Sequence, residues 1–110
     1  MLLAKVTGSM VSTQKVDAMT GHKLLLVDPQ RVDPRGGQRL IGTGRSFVAV
    51  DTVGSGQGEL VIITQGASAR LTPETRDLPV DTTIVGIVDS VYVGNACIYD
   101  KEGNGTAETA

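Results

Sequence analysis

Three places in the sequence carry residue types that proteins use for chemistry: one histidine, one cysteine and one glycine-rich run. Because His22 is the single histidine, a metal site with two histidine ligands is excluded. A Ser-His-Asp triad needs an exposed nucleophile, and the chain has no Gly-x-Ser-x-Gly elbow to supply one. We therefore interpret His22 as a turn or interface residue. The alternative, a small enzyme that uses His22, predicts loss of activity on His22→Ala.

Cys97 is the single cysteine, which excludes an intramolecular disulfide and a cysteine-ligated metal knuckle. No activating residue lies near it in sequence, so we expect an inert, half-buried thiol. The N-terminus lacks the features of a signal peptide, and no apolar run is long enough to span a bilayer. We expect a cytoplasmic protein without a membrane partner.

The glycine-rich run, residues 53–59, reads Val-Gly-Ser-Gly-Gln-Gly-Glu. Its spacing is Gly-x-Gly-x-Gly, whereas a dinucleotide fingerprint needs Gly-x-Gly-x-x-Gly at the start of a helix. Residues 60–64 are Leu-Val-Ile-Ile-Thr, which predicts a strand there. The run is therefore interpreted as a strand-to-strand turn, and we expect no cofactor and no metal.

A second run of small residues, 66–70, reads Gly-Ala-Ser-Ala-Arg. Small side chains allow another chain to pack closely, and Arg70 could bond a carbonyl or carboxylate across an interface. An ordinary loop with a solvated arginine explains the same residues, and the run alone does not decide between the two.

The chain has 110 residues, enough for one domain, and its core must be aliphatic because only three residues are aromatic. Short apolar runs separated by turn residues predict an all-β fold: a small five-stranded OB-like Greek-key barrel with at most a short helical turn. We place the domain over 1–102, with a flexible tail over 103–110 and an added hairpin arm over 28–46. The predicted strands are 2–7, 10–13, 23–28, 47–51, 59–64, 83–92 and 97–99, with a turn or bulge at Gly8 and one helical turn within 67–79.

Three of these strands, within 24–27, 60–63 and 84–88, are apolar on both faces, although a lone barrel buries only its inner face. Something must cover their outer faces. We favour a second subunit, which predicts a homo-oligomer without giving its symmetry; loops that fold back over the barrel are the alternative.

OB-type barrels also bind single-stranded nucleic acid, through aromatic side chains in a basic groove. Three aromatic residues and a net charge of −2 argue against that alternative. We therefore expect no nucleic acid partner.

Taken together, the blocks at 49–59 and 66–70 resemble the EutN/CcmL family of microcompartment and carboxysome vertex proteins. Further blocks at 3–8, 21–27 and 79–89 follow that family's order. The resemblance implies an OB-like barrel, a cyclic homopentamer and a position at the vertices of a polyhedral shell, beside hexameric shell proteins. It also implies a structural role without catalytic residues.

Small residues and two charged side chains in the two runs suggest where copies of the chain meet. We expect the following residues to lie at a subunit interface or near a central pore: Gly54, Gly56, Gly58, Glu59, Gly66, Ser68, Ala69 and Arg70. The arm over 28–46 is the expected place for specificity toward neighbouring shell proteins.

Overall fold

The computed structural model describes residues 1–12, 15, 17–19, 21–76 and 80–102 of the 110-residue chain. The described residues contain eight strands and two short 3-10 turns, Asp17–Met19 and Gly66–Arg70. The strands are Leu2–Met10 (β1), Leu24–Val32 (β2), Leu40–Gly42 (β3), Phe47–Asp51 (β4), Leu60–Gln65 (β5), Thr82–Ile87 (β6), Ser90–Val93 (β7) and Ala96–Asp100 (β8).

Five of these strands close into a barrel. β1 pairs antiparallel with both β2 and β5, β5 pairs antiparallel with β6, and β4 pairs antiparallel with β2. The ring closes through a parallel pairing of β4 with β6. This order confirms the predicted five-stranded OB-like barrel, in which strands distant in sequence become neighbours and no barrel edge is left open.

The barrel interior is filled by small and aliphatic side chains, which agrees with the expected aliphatic core. Alternate residues along each strand point inward, so Leu25 and Val27 on β2 are buried while Leu24 and Leu26 are half-buried on the outside. The buried cluster consists of Ala4, Val6, Leu25, Val27, Ala49, Val61, Ile63 and Ile84.

The predicted arm is a hairpin made by the outer half of β2 and by β3. Asp33 shapes its tip: its carboxylate accepts bonds from the Arg35 amide at 3.0 Å and from Arg39 Nε at 3.2 Å. Asp28 braces its base, because its Oδ1 accepts from the Thr43 hydroxyl at 2.8 Å. Hydrogen bonds to a carboxylate therefore stabilise both the tip and the base of the arm.

The outer side of β5 is covered by the chain itself, which corrects part of the expectation that a neighbouring subunit covers the apolar strands. Leu60 lies in a second buried cluster with Leu40 from the arm and Ile98 from β8. Ile62 packs against the same cluster. The sequence pattern showed that cover was needed, but not that the β7–β8 hairpin supplies it.

β1 and β2 are longer than predicted, the arm contains the additional strand β3, and two predicted runs differ in kind. The run 10–13 is not a separate strand, since Met10 ends β1 and neither Val11 nor Ser12 is in a strand. The predicted strand over 83–92 is two strands, because the chain leaves the barrel at Val88, which joins the second cluster, and re-pairs as β7. The bulge expected at Gly8 is confirmed by a register shift in the β1–β2 pairing.

Two predictions fall partly or wholly outside the described residues. The helical turn expected within 67–79 is confirmed as the 3-10 turn Gly66–Arg70, while residues 77–79 are not described. The predicted tail over 103–110 lies wholly outside the described residues, so the division at residue 102 stays a prediction.

Candidate functional site

The glycine-rich run forms a turn between β4 and β5, and we call residues 51–59 the first turn. Asp51 organises it: its Oδ1 accepts from the Val53 amide and the Ser55 amide, both at 3.2 Å, and from the Ser55 hydroxyl at 2.8 Å. Lys23 Nζ lies 3.6 Å from Asp51 Oδ2 and donates to the Ser55 carbonyl at 2.6 Å. The turn is therefore wound around one carboxylate whose side chain is only 2% exposed.

These contacts determine the charge state of Asp51. Burial alone would raise its pKa, but the hydrogen bonds from Ser55 and Val53, together with the ammonium of Lys23, outweigh burial. The pKa of Asp51 therefore lies below its ordinary value, and the carboxylate is ionised at neutral pH.

The second half of the first turn is held by Glu59. Its Oε1 accepts from the Gly56 amide at 2.7 Å, and its Oε2 lies 3.6 Å from Lys101 Nζ. Gly54 and Gly58 adopt φ of 81° and 92°, a backbone region that favours glycine. β5 follows directly, which confirms the strand-to-strand turn and provides no helix N-terminus for a phosphate.

The second run forms the 3-10 turn after β5, and we call residues 66–71 the second turn. Its bonds all go to backbone carbonyls: the Gly66 amide donates to Asp81 at 2.9 Å and the buried Thr83 hydroxyl donates to Ala69 at 2.7 Å. Arg70 donates from its guanidinium to the Val80 carbonyl at 3.1 Å. These bonds attach the second turn to Thr83 on β6 and to Val80 and Asp81, which precede β6.

The predicted interface residues fall into two groups, one in each turn. Gly54, Gly58, Gly66, Ser68 and Arg70 are exposed, Gly56 and Glu59 are half-buried, and Ala69 is fully buried within its own protomer. Their placement at an interface or pore stays a prediction.

Sequence reasoning missed three residues on which the first turn depends: Asp51, Ser55 and Lys23. A sequence signal was present, since an aspartate at the start of a turn often accepts a bond from the backbone amide two residues on, as Asp51 does from Val53. Lys23 lies 28 positions from Asp51 in sequence, and only the pairing of β2 with β4 brings them together.

Neither His22 nor Cys97 belongs to the first or the second turn. His22 is half-buried and lines a cavity of about 260 Å³ with Lys15 and Lys23. Cys97 is exposed, so the expectation of a half-buried thiol is wrong; β8 turns its side chain outward, where its Sγ donates to the Tyr99 carbonyl at 3.3 Å. Among the described residues, no group of His, Cys, Asp and Glu side chains is placed to hold a metal ion.

Within the same residues, no helix is long and apolar enough to cross a membrane.

Comparison with known proteins shows which class of protein the chain resembles. The family described as "Ethanolamine utilisation protein EutN/carboxysome" matches residues 1–89. The carboxysome shell vertex protein CcmL of Synechocystis sp. is 44% identical over 105 residues, covering 96% of this chain and 99% of that protein.

Solved structures agree with the sequence comparison. The structure of Gloeobacter violaceus CcmL superposes with a TM-score of 0.80 at 35% identity, covering 93% of this chain and 99% of that one. The pentameric microcompartment shell protein GrpN of Rhodospirillum rubrum superposes with a TM-score of 0.70 at 42% identity, covering 86% and 100%.

The closed barrel and these relatives define the class as a structural protein of the bacterial microcompartment shell. The two turns described above lie in the blocks that carried the resemblance, and the family match extends across both. The chain belongs to the EutN/CcmL family of shell vertex proteins.

Proposed function

We propose that five copies of this chain close into a ring that occupies a five-fold vertex of a microcompartment shell. The observation that carries the proposal is the similarity to pentameric GrpN, which spans the whole length of that relative at 42% identity. The role is geometric: a pentagonal unit supplies the curvature that a sheet of hexagonal units lacks. The ring therefore acts as a structural part without a catalytic step, which fits the names of the shell vertex relatives.

The ring would use two different surfaces of each chain. In a cyclic assembly every contact is heterologous, because one patch of a subunit meets a different patch of the next. The first turn and the second turn are the candidates, since they lie on different connections of the barrel. Glu59 and Arg70 would provide charge-assisted bonds, and Gly56 would allow close backbone approach.

The outer rim of the ring would meet hexameric shell proteins in the cytoplasm. The arm is the candidate contact, because Arg35 and Arg39 share one buried carboxylate, Asp33, and keep exposed guanidinium groups around it. Guanidinium groups present several donors in a fixed plane, which suits carboxylates and carbonyls on a partner surface.

Native mass spectrometry of the purified protein at neutral pH tests the ring directly. We expect a dominant pentamer. A monomer at micromolar concentration would reject the proposed ring.

Two variants test the predicted interface residues. Gly56→Val places its Cβ 3.9 Å from Glu59 Oε1, an ordinary contact, so the protomer should fold while the ring is lost. Gly36→Val is the matched control, because a Cβ at Gly36 meets no atom within 4 Å and Gly36 lies at the tip of the arm. Arg70→Ala removes the bond to Val80 and should weaken the ring; rings that survive both Gly56→Val and Arg70→Ala would contradict the assignment.

A further inference from the structure

The connection between β1 and β2 begins and ends at one cavity on the surface of the barrel. Met10 pairs with Leu24 at the end of the β1–β2 ladder, so the chain leaves β1 and enters β2 at the same place. Residues from both sides of the connection line a cavity of about 260 Å³, which we call the basic cavity because Lys15, His22 and Lys23 all line it. A single water needs about 10–15 Å³ of such space, so a small ligand of several atoms fits.

The lining of the basic cavity is positively charged. Among the described residues that line it, none has a carboxylate, although the chain has twelve acidic residues against ten lysines and arginines. Lys23 forms an ion pair with Asp51, whose carboxylate belongs to the first turn and not to the cavity lining. Lys15 has no ion pair within the described part of the chain, so an anion in the cavity would supply the missing negative charge.

Hydrogen bonds to carbonyl oxygens position both lysine side chains. Lys15 Nζ donates to the carbonyl of Ser12, and both of these residues line the cavity. Lys23 Nζ donates to the Ser55 carbonyl at 2.6 Å, which fixes its charge beside the cavity. An ammonium group has three donors, so Lys15 keeps donors for a further oxygen atom. Because the lysines are ordered before a ligand binds, binding costs less side-chain entropy.

His22 adds a donor of another kind to the same cavity. Its backbone amide donates to the Met19 carbonyl at 3.2 Å, which fixes the residue in the turn that leads into β2. Its side chain is half-buried, and an imidazole has at least one N–H donor whether it is neutral or protonated. A protonated lysine offers no lone pair to a metal ion, so these donors fit an anion and not a cation.

We propose that the basic cavity binds a phosphate group, either as the free anion or as part of a small phosphate monoester. A phosphate monoester carries about −1.5 to −2 charges at pH 7 and several acceptor oxygens. Lys15 and His22 donate to these oxygens, and Lys23 adds its charge from the side of the first turn. All of the lining residues belong to one protomer, so this inference does not rest on the proposed ring.

Isothermal titration calorimetry with inorganic phosphate, in a phosphate-free buffer of low ionic strength, tests the site. We expect saturable binding to the wild type with one site per chain. Lys15→Met should weaken the binding by about tenfold, because it removes a charge-assisted bond. His22→Leu removes the imidazole donor and should weaken it by about threefold to tenfold.

Lys5→Met is the matched control for Lys15→Met. Lys5 lies on β1 and does not line the cavity, and its loss changes the net charge of the chain by the same amount. Its phosphate affinity should therefore equal that of the wild type. Circular dichroism and native mass spectrometry show whether each variant keeps its fold and its assembly. If a variant misfolds, NMR of the wild type replaces it: added phosphate should shift the backbone amide signals of Ser12 and His22, and unshifted signals would overturn the site.

Glycerol 3-phosphate, titrated in the same way, distinguishes the two sources of a phosphate group. Tighter binding of glycerol 3-phosphate than of inorganic phosphate would show that the site takes a monoester. The reverse order would show that it takes the free anion, and either order supports the proposed chemistry.

Three outcomes would overturn the inference. They are the absence of saturable phosphate binding, unchanged affinity in both Lys15→Met and His22→Leu, and an equal loss of affinity in Lys5→Met, which would show general attraction to positive charge. The ring is tested separately: a monomeric wild type that binds phosphate in the basic cavity would reject the ring and support the site.

Discussion

The first turn and the second turn are both proposed to contact a neighbouring subunit, yet different kinds of hydrogen bond stabilise them. In the first turn the acceptors are the carboxylates of Asp51 and Glu59, which collect bonds from backbone amides and one hydroxyl. In the second turn the acceptors are backbone carbonyls, which do not titrate. One turn therefore depends on carboxylates that titrate, whereas the other is held by a backbone amide, a hydroxyl and the Arg70 guanidinium, all bonded to backbone carbonyls.

The largest effect that tests this comparison is expected from Asp51→Ala. The substitution leaves the buried donors of Ser55 and the Val53 amide without their acceptor, which should lower the free energy of unfolding by about 3 kcal/mol. The ion pair with Lys23 adds little, because the Lys23 side chain is half exposed. Urea unfolding at a fixed protein concentration measures the change, with exposed Asp89→Ala as control. A loss no larger than that of the control would show that the first turn does not depend on its carboxylate.

A second effect should appear on acidification. The pKa of Asp51 is lowered in the folded protein, so its contribution to stability is present above the unfolded value near about 3.9 and is lost as pH falls through the folded value. The difference in stability between the wild type and Asp51→Asn should therefore shrink as pH falls below about 4. The pKa of Asp33 is also lowered, by the Arg35 amide and then Arg39, but Asp33 is present in both proteins and its effect cancels. A pH-independent difference would contradict this account.

A smaller loss is expected in the second turn from Thr83→Val. The change keeps the shape of the side chain but removes the donor to the Ala69 carbonyl, both groups being buried. The free energy of unfolding should fall by about 1–2 kcal/mol without a change in its pH dependence. Thermal unfolding at several pH values measures both quantities. Thr64→Val on the neighbouring strand, which removes a hydroxyl without a partner in the described residues, should cost nothing.

The smallest effects on stability are expected from alanine substitutions of two glycines in the first turn, Gly54 and Gly56. Gly54→Ala places a side chain at φ of 81° and should cost about 1 kcal/mol. Gly56 has no positive φ and only an ordinary contact for an added Cβ, so Gly56→Ala should leave protomer stability unchanged. Chemical denaturation of both variants decides the point, and equal losses would show that the turn requires glycine at both positions.

Much of the fold could be predicted from the sequence, because runs of β-branched and aliphatic residues between turn residues indicate the approximate positions of most strands. The bulge at Gly8 and the arm were predicted for the same local reason. The break at Val88 was not, since an apolar run does not show where a chain leaves one sheet and pairs within another.

The candidate site was predictable only in part. The positions of both turns follow from their glycines, but the network of Asp51 with Lys23 depends on the pairing of β2 with β4, which local sequence does not encode. Likewise, because β5 is apolar on both faces, the sequence predicted that a partner covers its outer face. Only the tertiary structure shows that Leu40 and Ile98 of the same chain cover it.

The parallel pairing of β4 with β6 has a consequence for synthesis. β6 is inserted between β4 and β5 and is the last barrel strand in the chain, so residues 1–81 leave two open strand edges. A nascent chain cannot complete its barrel until residue 87 has left the ribosome, and a truncated product will tend to self-associate through those edges. Assembly of a shell corner is thereby restricted to chains translated at least through the last barrel strand.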